Sequence, residues 1–455
     1  MTAKENCIRY IENNARIFTS LSDRIWEQPE LSLKEFKAAE AYCSLLKDNG
    51  FKVEENLGGI RTAFKASFGN GHPVIGFLGE FDALSGLSQK KNTAEPDPVV
   101  SGAPGHGCGH NLLGAGALCA AFAIRDYLER TKKEGTVVFY GCPGEEGGAS
   151  KAFLARDREW VKLDAALTWH PSDENKVVSG SNNASIQVHY RFHGRSAHAA
   201  GDPYNGRSAL DAVELMNIGV QFLREHMTED CRVHYAITDT GGISPNVVQS
   251  EAAVLYMVRA NKVRDCVALL DRVDRIASGA ALMTDTVLDR EFIDGTAQLV
   301  PNHTLEKVLY SNFEKIPLPV HTPEEIALAE EIKKTCPDSA SPEALSSVLL
   351  SHESSEKFVP GSTDVGDVSW LTPTAQIHVS AFVSGAPGHS WQNVSTAGGS
   401  IGHKALLHAG KILACSAVDL YEDSGILKNA KEEFLERTKE GYVCPIEPDA
   451  VPVAI

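Results

Sequence analysis

Two textures of strand are written into this chain, and one interrupts the other. Short apolar runs at residues 74–78, 136–140 and 165–168 alternate with helical stretches, and a fourth run, 377–383, comes much later. Runs of that kind read as strands covered on both faces, with helices on either side of a mostly parallel sheet. Between them, Ser185-Ile-Gln-Val-His-Tyr-Arg-Phe192 alternates polar and apolar residues strictly, the pattern of a strand with one face in solvent. It opens a series comprising a helix over 208–224, strands at 233–237 and 252–258, a helix over 264–283 and a strand at 286–293. That β-α-β-β-α-β order predicts a small ferredoxin-like domain.

The expected fold is therefore α/β: a catalytic domain whose mostly parallel sheet is flanked by helices, with a ferredoxin-like α+β lid inserted into it. The divisions fall at 1–183 for the first catalytic part, 184–298 for the lid and 299–430 for the second catalytic part. Residues 431–455, rich in charge and proline, read as a peripheral tail. Helices are expected over 4–25, 34–48, 112–128 and 396–421. A length of 455 residues agrees with more than one core.

Charge and cysteine usage narrow the function classes. The formal net charge is −17, from 43 basic and 60 acidic residues, which argues against a nucleic-acid surface. No apolar run approaches the roughly 20 residues of a membrane span, and the first residues lack the apolar core of a signal peptide. Ten cysteines are scattered without a Cys-x-x-Cys pair. They read as reduced thiols of a cytoplasmic protein, with Cys108 set apart by its neighbours.

In open α/β sheets, chemistry collects beyond the carboxyl ends of the strands. The run at 74–78 leads into Gly79-Glu80-Phe81-Asp82, and 136–140 into Gly141-Cys-Pro-Gly-Glu145-Glu146-Gly-Gly. The third run leads into Trp169-His170-Pro171, and the last into Gly385-Ala-Pro-Gly-His389. Gly105-His-Gly-Cys108-Gly-His110-Asn111 precedes the helix over 112–128. Thiol, imidazole and carboxylate groups are metal-ligand types. Each piece alone also has an ordinary structural reading; their joint placement at matched strand ends points to a metal site.

Those motifs resemble the M20 metallopeptidases, in the branch that holds aminobenzoyl-glutamate hydrolases, hippurate-type carboxypeptidases and their dipeptidase relatives. Gly194-Arg-Ser-Ala-His198-Ala, Gly361-Ser-Thr-Asp364-Val-Gly-Asp367 and His389-Ser-Trp-Gln extend the resemblance over residues 10–425. It implies a metal-dependent hydrolase of N-acyl or N-aroyl amino acids with a free carboxylate, or alternatively of dipeptides. It implies two divalent ions, zinc or manganese, on Cys108, His110, Glu146, His170 and His389. Glu145 is then the general base, Asp82 the group that orients a ligand, and His198 a donor to the oxyanion. Arg259 and Asn246 contact the substrate, with Arg259 suited to a bidentate grip on a carboxylate. The resemblance further implies a homodimer built through the lid, and leaves room for a second type of subunit. Two positions depart from the family pattern. Glu80 stands where many members have a metal-binding His and is left out of the ligand set; Asn111 stands where many have Asp.

Overall fold

The computed structural model describes residues 1–336 and 341–454. Its main sheet has seven strands, in the order Lys52–Glu55, Phe64–Asn70, Gly135–Cys142, Val74–Glu80, Ala165–Ser172, Thr374–Ser380 and Lys176–Val177. The four from Gly135–Cys142 to Thr374–Ser380 run parallel, and the outer strands are antiparallel. Alternate residues of the parallel strands feed two separate cores. Ile75, Phe77, Val137, Phe139 and Leu167 face the helices Ala15–Glu27, His110–Thr131 and Ser400–Glu422. Leu78, Val138, Tyr140 and Ala166 pack on Leu154, Trp160 and Val368 behind the sheet. Burial on both faces is why these strands read as apolar runs without alternation.

The helix His110–Thr131 lies unusually close to the sheet. A Cβ on Gly116 would stand 2.6 Å from the indole nitrogen of Trp169, which donates to the Leu113 carbonyl at 2.8 Å. Only glycine tolerates that approach, and it brings the helix start, at His110, over the strand ends.

The inserted segment forms a four-stranded antiparallel sheet, in the order Val287–Thr296, Ala184–His193, Glu251–Ala260 and Arg232–Asp239. Helices Ala209–Leu223 and Val263–Thr284 cover one face, where Ile186, Val188, Tyr190 and Phe192 are buried. The mixed α/β fold and the separate antiparallel sheet agree with the sequence reading.

Boundaries differ in four places, each with a local cause. The helix expected over 4–25 is two, Ala3–Asn13 and Ala15–Glu27. Between them Asn14 leaves helical geometry at φ −109° and ψ 11°, and its side chain donates to the Tyr10 carbonyl at 2.8 Å beside its own amide. The helix expected over 396–421 begins earlier as Trp391–Ala397, breaks at Gly398-Gly399 and resumes as Ser400–Glu422. The last parallel strand is Thr374–Ser380 rather than 377–383. Ala381 and Phe382 leave the ladder and donate together to the Ser172 carbonyl, so their apolar character marks burial, not strand. The stretch read as a tail begins inside a helix, Ser424–Arg437. Beyond it the Tyr442 hydroxyl donates to Asp367 at 2.6 Å, and Ile446 is buried in the lid core. No helix among the described residues is long and apolar enough to cross a membrane.

Candidate metal centre

The carboxyl ends of the parallel strands converge on one cleft. Val74–Glu80 ends in Glu80 and passes Asp82 two residues on. Gly135–Cys142 leads to Glu145 and Glu146, and Ala165–Ser172 carries His170 close to its carboxyl end. His389 sits on the loop before the helix Trp391–Ala397, with a positive φ of 54°. Cys108 and His110 flank Gly109, whose φ of 76° suits glycine, and whose added Cβ would meet the Phe382 ring at 2.9 Å.

These side chains form two donor triplets that share one atom. Cys108, His110 and His170 place one ligand atom each within 4.8 Å of one another, and so do Cys108, Glu146 and His389. The Cys108 sulfur lies 3.4 Å from His170 Nε2, and His389 Nε2 lies 3.2 Å from Glu146 Oε1. Donors about 2.0–2.3 Å from one tetrahedral ion stand roughly 3.3–3.6 Å apart, so both pairs lie close to the spacing of a coordination edge.

The surroundings aim these atoms inward. His110 Nδ1 is held by Asp82 at 2.8 Å, which leaves Nε2 buried without a hydrogen-bond partner. His170 Nδ1 is held by the Pro171 carbonyl at 2.7 Å. Glu146 Oε1 is another buried atom without a hydrogen-bond partner. Buried polar atoms left unsatisfied are rare and call for an explanation; a divalent ion at each triplet supplies one. Carboxylate-held imidazoles are the usual companions of such ions.

The electrostatics point the same way. Burial, then the Glu146 charge, pushes the Cys108 thiol well above its usual range. Burial, then Glu80 and Glu146, does the same to the Glu145 carboxyl. Asp82 is fully buried, yet the His110 charge and hydrogen bonds from His110, the Glu146 amide and Ser32 outweigh that burial and hold it low. A cleft so rich in acid suits bound cations, and the donor set fits them.

The neighbouring ion-paired cluster was not expected. Lys151 is fully buried and lies 2.7 Å from Glu80 and 2.5 Å from Asp364. The other Glu80 oxygen stands 3.3 Å from His110 Nε2, and Glu80, His110 and Glu145 make a third close group. Sequence reading gave Lys151 no role because a lone lysine in a helix reads as solvated; its one signal is the apolar company of Ala152, Phe153 and Leu154.

The remaining sequence candidates lie in the lid. His198 and Asn246 are both exposed and adjoin: His198 bridges to Val247, and the Ala199 amide donates to the Asn246 carbonyl. His198 Nδ1 accepts from the amides of Ala200 and Gly201. Among the described residues, no hydrogen bond or ion pair joins either to the donor triplets. Arg259 is half-buried and donates to Ser362 at 2.9 Å. Thus one chain brings together Asp82, Cys108, His110, Glu145, Glu146, His170 and His389, and leaves His198 and Asn246 apart.

Comparison with known proteins gives the family. The profile of peptidase family M20/M25/M40 matches residues 76–393. The chain is 44% identical over 466 residues to the B subunit of p-aminobenzoyl-glutamate hydrolase from Escherichia coli K12, covering 97% of each. It is 26% identical to the Xaa-Arg dipeptidase of Mus musculus, covering 96% of this chain and 93% of the relative. Its fold is similar to that of a dinuclear metal-binding peptidase of Bacillus subtilis. The TM-score is 0.56 at 17% identity, covering 90% of this chain and 99% of the other.

Proposed function

The chain belongs to peptidase family M20/M25/M40, and from that premise we propose that it hydrolyses the amide bond of N-aroyl or N-acyl amino acids bearing a free carboxylate. Aminobenzoyl-glutamate is the lead substrate, since the relative named for that hydrolysis matches at 44% over nearly the full length. Dipeptide cleavage is the second reading; the dipeptidase relatives match at 26–27%. The observation that carries the proposal is Cys108, common to two donor triplets beside Glu145.

In this reading Cys108, His110 and His170 hold one divalent ion, and Cys108, Glu146 and His389 the other. Zinc or manganese both suit the donors. Such a pair supplies Lewis acidity at the scissile carbonyl and acidifies water. Asp82 fixes the His110 tautomer through Nδ1, so that Nε2 offers its lone pair. Glu145 takes a proton from the attacking water and delivers it to the leaving amine nitrogen, the work of a carboxylate with a raised pKa. Arg259 grips the substrate carboxylate, Asn246 contacts the substrate, and His198 donates to the developing oxyanion.

The exposed place of His198 supports a homodimer in which the lid of one chain completes the cleft of its partner. The lid sheet ends in the edge strand Arg232–Asp239, with Tyr235 and Ile237 partly exposed and Ile243 beyond it 99% exposed. Unpaired edges with apolar side chains are pairing surfaces. A second type of subunit remains part of the proposal, because the relative carries a name that makes it one lettered component of its enzyme. We assign residues 184–298 as the lid and dimer domain, and residues 1–183 and 299–430 as the catalytic domain. Ten free cysteines support a cytoplasmic setting.

The test is a hydrolysis screen of the metal-loaded chain against aminobenzoyl-glutamate, hippurate, other N-acyl amino acids and β-alanyl dipeptides. Turnover of the first group, abolished by chelation and restored by zinc or manganese, is expected. Turnover of dipeptides alone would overturn the first reading in favour of the second.

A further inference from the structure

The loop that carries Glu145 is held by its alternate backbone amides. Gly144 N–H donates to Glu35 Oε1 at 2.8 Å, Glu146 N–H to Asp82 Oδ2 at 3.0 Å, and Gly148 N–H to Asp294 Oδ2 at 3.1 Å. All three carboxylates are buried, at 0%, 1% and 5% exposure. Two belong to the body that bears the metal donors. The third comes from the lid strand Val287–Thr296.

Asp294 reaches that place only because its strand is irregular. Phe292 pairs with Val188, but the next register partner of Gln187 is Asp294, not Ile293. A regular ladder would set Asp294 opposite Ile186, whose side chain lies in the apolar core under the lid helices. One extra residue moves Asp294 to the opposite face of the sheet, since side chains alternate with a period of two. There it lies beside Gln187, whose amide nitrogen donates to both carboxylate oxygens at 3.1 Å. Arg259, two strands away on the same sheet, reaches Ser362, two residues before the Lys151 partner Asp364. The loop has little slack on its far side: a Cβ on Gly148 would stand 2.7 Å from Leu33.

We propose that Asp294 is a positioning residue for the hydrolysis, acting through the Gly148 amide to fix the Glu145–Glu146 loop and to tie the setting of the base to the seating of the lid. The inference rests on the hydrolase reading above for its effect on turnover, but the contact itself can be tested without it. A base must be held within hydrogen-bond reach of the proton it takes, and a loop released at Gly148 lets Glu145 wander.

The experiment compares Asp294→Ala and Asp294→Asn in the full-length, metal-reconstituted protein. Three quantities are read: metal content, hydrogen exchange at the Gly148 amide, and kcat and KM for aminobenzoyl-glutamate. Asp294→Ala should keep two ions per chain, expose the Gly148 amide to exchange and lower kcat about 10- to 100-fold, with KM moved less than about threefold. Asp294→Asn retains an oxygen that can accept from Gly148, so it should keep the slow exchange and at least about a third of the wild-type kcat. If Asp294→Ala does not fold, Asp294→Ser replaces it, being polar but too short to reach Gly148. Unchanged exchange at Gly148 in the short variant, a kcat within twofold of wild type, or an Asn variant as impaired as the Ala variant overturns the proposal. Wild-type protein that turns over no substrate in the screen defeats the hydrolase reading instead, and the exchange measurement then decides the Asp294 contact on its own.

Discussion

The cleft and the lid loops that carry His198 and Asn246 differ in how their side chains are held. In the cleft, Asp82 accepts three hydrogen bonds, His110 and His170 each have one ring nitrogen held, and Lys151 pairs with two buried carboxylates. His198 and Asn246, by contrast, stand exposed on two adjoining lid loops, one after Ala184–His193 and one between Arg232–Asp239 and Glu251–Ala260, which bond to each other. The contrast teaches that the cleft is held together within one chain, which in the proposed reading makes up the metal half, while the proposed oxyanion donor His198 stands apart from it. Preorganised polar groups stabilise charge without reorganising at the moment of reaction.

The largest expected effect lies in the cleft. Glu145→Gln should lower kcat about 10²- to 10⁴-fold while metal content stays at two ions per chain. Glu146→Gln should lose metal as well, since Glu146 belongs to a donor triplet. Metal analysis beside steady-state kinetics separates the two, and equal metal loss in both would erase the distinction between base and ligand.

Next comes the fold of the cleft. Lys151→Met leaves Glu80 and Asp364 buried without their partner and should cost about 3–5 kcal/mol in denaturant unfolding. A loss under about 1 kcal/mol would mean that the cluster is not a preassembled unit.

The clamp sits between the two regions. Arg259→Ala should cost about 2–4 kcal/mol in kcat/KM for substrates with a free carboxylate, and far less for their amides. Equal losses would remove Arg259 from substrate recognition. The smallest effect belongs to the lid loops: His198→Ala should change unfolding stability by less than about 0.5 kcal/mol, as exposed substitutions do. A stability loss as large as that of Lys151→Met would contradict the contrast.

What could be read from the sequence divides along the same physical lines. The parallel strands declared themselves through apolar runs, and the lid strand Ala184–His193 through its period of two. Cys108, His110, Glu145, Glu146, His170 and His389 stood out because each lies at a strand end or helix start, with glycines beside most of them. Lys151 was illegible because nothing local distinguishes a buried lysine from a solvated one; only its distant partners Glu80 and Asp364 make burial tolerable. Asp294 was illegible because a bulge reverses the facing of every residue after it, and alternation alone cannot foretell where the extra residue falls. The early end of Thr374–Ser380 is a case where a neighbouring carbonyl, that of Ser172, competes with the regular ladder.

The central claim is that a cleft complete in its metal donors receives His198 from a second chain, and one mixing experiment tests it most directly. His198→Ala spoils the partner's site and Glu145→Gln spoils its own, so each homodimer is nearly inactive. The two proteins are unfolded together, refolded with metal and assayed on aminobenzoyl-glutamate, with mixed dimers counted by mass. Random re-pairing makes half the dimers mixed, each with one complete site, so activity should return to roughly a quarter of wild type. Mixed dimers that form in that proportion and stay as inactive as their parents would contradict the account, and would return His198 to its own chain or to the lid alone.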